Sequence, residues 1–150
     1  MPLWRTSKPP PTLEKFVSDT MHETFYVVES DKSFAEVVFD LEPIVQRLGF
    51  VVLHSYDLGE ILRRKGIELD NDCHVFDVCN YRFAEKVLAA DILLGLTVPW
   101  RIAVFTDNGA TRIGLVRPQA ITASQDRGTA CVTTLAEIEN KLILIVDEVR

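Results

Sequence analysis

The 150-residue chain has the size of one domain, long enough to bury a sizeable core. Its net charge of −6, from 22 acidic and 16 basic residues, argues against nucleic acid as a partner, which needs a basic footprint. Hydrophobic residues make up 47% of the chain and the mean hydropathy is +0.11, an apolar surplus that a homodimer interface would absorb.

Residues 1–11 carry Arg5 and Lys8 but no signal-peptide core, and Pro9, Pro10 and Pro11 would break one. The longest apolar runs, 142–146 and 92–94, fall far short of a bilayer's width, so a cytoplasmic protein without membrane contact is expected. Three cysteines fit reduced thiols rather than a disulfide framework. Residues 1–22 are read as a flexible proline-rich arm with a short helix near its end, and 23–150 as a single domain.

Residues 24–29, β-branched and aromatic, form the first predicted strand. Ser33 with Glu36 is a capping box, opening a helix with an apolar stripe of Phe34, Val37, Val38, Leu41, Ile44, Val45 and Leu48. Pro43 should bend or divide that helix, and Gly49 ends it. A strand over 50–56 follows, then a short helix over 58–65 capped by Asp57 and closed by Gly66. Residues 73–79 read as a third strand, with Asn80 placed to cap a helix over 81–90.

Pro99 leads into a strand over 100–106, and Asn108-Gly109 marks a type I′ hairpin. That turn sets the register. Val104 faces Ile113 and Ile102 faces Leu115 on the core side; Phe105 with Arg112, Ala103 with Gly114 and Arg101 with Val116 lie on a mixed second face. Residues 122–133 read as a loop. A capping box at Thr134 and Glu137 opens a last helix through Val149, oily over most of its girth, with a strand over 142–146 as the competing reading.

Candidate chemistry gathers in the central strands. Cys73, His74 and Cys79 suggest a metal, but on a strand the thiols lie roughly 20 Å apart and His74 points to the other face, so no metal site is expected. Cys79 precedes a helix start, where a thiol pKa can fall, and His54 is the one histidine in another central strand that could act as its base. Asp77, a carboxylate in an apolar strand, needs a counter-charge, and Arg101 on the hairpin's mixed face is the natural one. Asp77, Cys79, Asn80, Arg101 and His54 are therefore the candidate ligand-binding residues, with Tyr56 on the face of His54. Trp100 could anchor an interface or pack in the core. No phosphate-binding glycine loop, nucleophile elbow or H-E-x-x-H is present, and no cofactor is implied.

Four segments carry a family resemblance: Gly49-Phe-Val-Val-Leu53, Lys65-Gly-Ile-Glu-Leu69, Val75-Phe-Asp-Val-Cys79-Asn80 and Leu94-Gly-Leu-Thr-Val-Pro-Trp-Arg-Ile102. In order and spacing, over residues 24–118, they resemble the DUF302 family. The resemblance implies an α+β domain with a single curved, mostly antiparallel or mixed β-sheet packed by helices, commonly homodimeric and of no established activity. The family often has Asn-Pro where this chain has Asn80-Tyr81, and Pro-Cys-Arg where it has Pro99-Trp100-Arg101. A family thiol acting at that second place would be lost here, while an anion-binding or structural role for Arg101 would survive. Two functions follow as expectations. One is a non-catalytic homodimeric module for a small-molecule or anionic ligand or for another protein; the other is a thiol-dependent enzyme or sulfur- or redox-handling protein using Cys79.

Overall fold

Strands of alternating pattern and helices of 3.6-residue pattern follow one another along the chain, and in the computed structural model they build one sheet with helices on it. Residues 21–122 and 128–150 are described; the expected arm falls almost wholly outside them. The strands are β1 (Phe25–Ser30), β2 (Val51–Asp57), β3 (Cys73–Cys79), β4 (Trp100–Asp107) and β5 (Ala110–Val116). They lie in the order β1-β5-β4-β3-β2, every neighbouring pair antiparallel.

The β4–β5 hairpin has the predicted register, with Ile102 opposite Leu115, Val104 opposite Ile113 and Phe105 opposite Arg112. Asn108 and Gly109 at its tip take φ of 50° and 82°, as a type I′ turn requires. In β2 the register shifts between Val52 and His54, and this irregularity puts His54 opposite Asp77.

Helix α1 (Phe34–Arg47) is capped by Ser33, whose hydroxyl accepts from the Glu36 amide at 3.2 Å. It runs through Pro43 as one helix, so of the two expected outcomes, a bend or a division, the proline does not divide it. Pro43 is on the exposed side, where water can serve the Phe39 carbonyl that loses its donor. Helix α2 (Leu58–Arg64) is capped by Asp57, and α3 (Tyr81–Ala90) by Asn80. A 3-10 turn (Ile92–Leu96) and a cis Val98–Pro99 peptide lead into β4.

The chain after β5 differs most from expectation. Pro118–Thr122 forms a short helix, α4, and the last helix, α5, spans Thr129–Val149, so it begins before the capping box and includes 142–146. The reason is visible in the packing. Cys131 is buried and extends the stripe of Leu135, Ile138, Leu142, Ile145 and Val149 by one more turn.

Helices α1, α3 and α5 all pack on one face of the sheet. Val37, Leu41, Val87, Leu142 and Ile145 join Val28, Val78, Trp100, Ile102, Val104 and Ile113 in a single core. Trp100 meets the ring of Phe50 edge-on at 6.3 Å, so it is a core residue. The other face of the sheet, away from these three helices, carries His54, Asp77 and Arg101.

Candidate ligand-binding face

Alternation along each strand decides what the face turned away from α1, α3 and α5 presents. In register across β2, β3 and β4 stand His54, Asp77 and Arg101. Beyond Arg101 the same row continues through Val116 to Phe25. The next row holds Tyr56, Val75, Ala103, Gly114 and Val27, and the one after it holds Cys73, Phe105, Arg112 and Glu29.

Asp77 and Arg101 form the expected pair: Nε of Arg101 donates to Oδ1 of Asp77 at 3.3 Å. The two side chains differ sharply in exposure, 12% for Asp77 and 61% for Arg101. A nearly buried carboxylate thus holds the inner edge of a guanidinium whose outer end stands in solvent. Among the described residues nothing engages Nη1 or Nη2 of Arg101, so its terminal fork of donors is open. His54 stacks on Tyr56 with ring centroids 6.0 Å apart and extends the polar strip to the sheet edge.

Beside Arg101 the face sinks into a shallow recess of about 280 Å3. Phe25, Val27, Ala103, Phe105, Gly114 and Val116 line it. Gly114 gives it depth and lets β1 come close: a Cβ there would stand 3.1 Å from Cγ2 of Val27 and 3.2 Å from the Tyr26 carbonyl oxygen. The second cation of this face, Arg112, is differently placed. Its side chain is only 9% exposed and its Nη1 sits 3.3 Å from Glu29. The geometry of that ion pair is too poor for a hydrogen bond, and Nε and Nη1 have no hydrogen-bond partner among the described residues.

The remaining candidates are occupied elsewhere. Asn80 accepts from the Phe83 amide at 3.0 Å and donates to the Gly49 carbonyl at 2.9 Å, a joint between α3 and the end of α1. Cys79 is buried, and burial pushes its thiol pKa up, opposite to what a nucleophile needs. No hydrogen bond joins His54 to either Asp77 or Cys79 among the described residues. Cys73 is also pushed up by burial, and His74 is pushed down by the same cause. Among the described residues no cluster of three or more His, Cys, Asp or Glu side chains is placed to hold a metal, and no helix is long and apolar enough to cross a membrane.

The recess itself was beyond a reading of single residues. Its walls are ordinary apolar side chains of three strands, and only the order β1-β5-β4 brings them together. The Asn108-Gly109 turn was the one available signal, since it already put Arg101, Ala103 and Phe105 on one face.

The profile of the family described as "Domain of unknown function DUF302" matches residues 26–149, nearly the whole of the described domain. The chain belongs to the DUF302 family. Its fold is similar to that in the crystal structure of an uncharacterized conserved DUF302 protein from Bacillus stearothermophilus. The TM-score is 0.79 at 28% identity, over 85% of this chain and 98% of that one. A search of the curated proteins returned no match. The family match runs past residue 118, so α5 belongs to the DUF302 domain and is no appendage to it.

Proposed function

We propose that this DUF302 domain is a non-catalytic binding module that takes a small molecule on the sheet face turned away from α1, α3 and α5 and works as a homodimer. The observation that carries the reading is the recess beside Arg101, apolar on its floor and walls with one open guanidinium at its rim. This combination suits a binding site: apolar surface supplies affinity and a single polar group fixes orientation. Its volume is at the small end for such sites, so the ligand is small.

Binding without turnover is the better reading because the acid–base set that catalysis needs does not converge there. Cys79 is buried with its pKa raised, and among the described residues no hydrogen bond orients His54 as a base. A thermal-shift panel of small amphipathic metabolites tests the proposal, run on the parent and on Ala103→Phe, which fills the recess from an exterior position. At least one compound should raise the parent's melting temperature by several degrees, and the variant should lose that shift. A shift retained in Ala103→Phe would move the site elsewhere, and a panel with no shift would remove the reading's support.

A further inference from the structure

Resting on the recess as the binding site, the geometry points to its ligand class: an amphipathic monoanion, with a carboxylate or sulfonate head on Arg101 and an apolar body over Ala103, Gly114 and Val27. Three observations select this class over a neutral or a cationic ligand. The first is the state of Arg101. Asp77 occupies only Nε, and at 3.3 Å it is a long bond, while among the described residues nothing engages the Nη1 and Nη2 edge and the side chain is 61% exposed. That edge is the one from which two oxygens of a carboxylate or sulfonate accept in bidentate fashion.

The second is the state of the other charges on this face. Arg112 is withdrawn and paired with Glu29, so the far end of the recess offers no accessible cation. Asp77 repels an anion, but its side chain is 12% exposed and lies on the inner side of the guanidinium, away from the open fork. His54 stands beyond Asp77 on the edge strand, across from the recess. One anionic group, at one end, is what these charges accommodate.

The third is the floor. From the row of Arg101 to the row of Phe105 is four residues along β4, roughly 13 Å, and every lining side chain between is apolar. A body of that length covers Ala103 and Gly114 and ends against the Phe105 ring. Two charges on one ligand would leave the second over apolar surface without a partner, which is costly. Asp77 acts here as a positioning residue, holding Arg101 over the rim without touching the ligand.

Two fluorescent probes with the same aromatic body separate this inference from the recess reading beneath it. They are 8-anilinonaphthalene-1-sulfonate, which carries one anion, and N-phenyl-1-naphthylamine, which is neutral. Titrated into the folded parent, the sulfonate should bind at least about tenfold more tightly, the effect of one charge-assisted contact. Arg101→Gln should abolish that preference while leaving the neutral probe's affinity within about twofold, and Ala103→Phe should weaken both. Equal affinities in the parent, or a preference that survives in Arg101→Gln, would overturn the ligand class and leave the recess standing. No binding of either probe, or binding untouched by Ala103→Phe, would overturn the recess and the class with it.

Discussion

Tyr26 shows how a single side chain can carry a pH dependence that belongs to the scaffold and not to the site. Its ring is in the core and its hydroxyl donates to Oδ1 of Asp147 on α5 at 2.6 Å. Burial, reinforced by the Asp147 bond and charge, raises the phenol from 10.0 to about 12. The sign follows from which form the fold prefers. The folded state keeps the neutral phenol longer than the unfolded chain does, so its contribution is intact below pH 10 and is lost as the pH climbs toward about 12. Tyr26→Phe should cost about 1 kcal/mol at pH 7 through the lost hydrogen bond. Its urea midpoint should then fall less steeply than the parent's between pH 10 and 12, measured by circular dichroism. Parallel slopes for the two proteins would assign the alkaline loss to other groups.

Between elements, the most consequential polar joint is at the end of β5. Glu139 of α5 is buried; its carboxylate accepts from Nη2 of Arg117 at 3.2 Å and from Nε2 of Gln119 at 2.7 Å. Arg117 also donates to the carbonyls of His22 and Glu23, at 3.2 and 3.1 Å, so one cluster binds α5, α4 and the entry to β1. Glu139→Ala should destabilise the fold by about 3 kcal/mol, because it strands a half-buried guanidinium. Combined with Arg117→Met it should cost less than Glu139→Ala alone, a comparison that urea midpoints make directly. This joint could not be read from the sequence, since Glu139 occupies one position on an otherwise unremarkable helix and its partners come from a different part of the chain. What could be read were local rules: the caps at Ser33, Asp57 and Asn80, the Asn108-Gly109 turn, and the alternation in β3 that singled out Asp77. The bulge at β2 that aligns His54 with Asp77, and the early start of α5 at Thr129, depend on packing between distant segments. Asn80 and Cys79 were sound as structural positions, yet only tertiary contacts show that one is saturated as a cap and the other packed.

At the scale of the whole molecule, the apolar surplus of the composition has to be placed. The recess accounts for a small part of it. A larger share stands on the 3-10 turn between α3 and β4, where Ile92, Leu93 and Leu96 are 75%, 66% and 88% exposed. Three large apolar side chains within five residues, on a segment whose Asp91 cap holds the Leu93 amide at 3.0 Å, form a fixed surface that water wets at a cost. In the proposed homodimer a two-fold axis would bring this turn against its own copy, as isologous interfaces do. Leu93→Ser combined with Leu96→Ser would then remove four leucines from the interface. At roughly 1.5 kcal/mol for each, the loss is about 6 kcal/mol, or around four powers of ten in dissociation constant. Light scattering at micromolar concentration should therefore show a dimer for the parent and a monomer for the double variant. Both changes are at exposed positions, so the monomer should keep its far-ultraviolet circular dichroism and its binding of the anionic probe. A parent that is already monomeric would defeat the homodimer; a double variant that stays dimeric would place the interface on another surface.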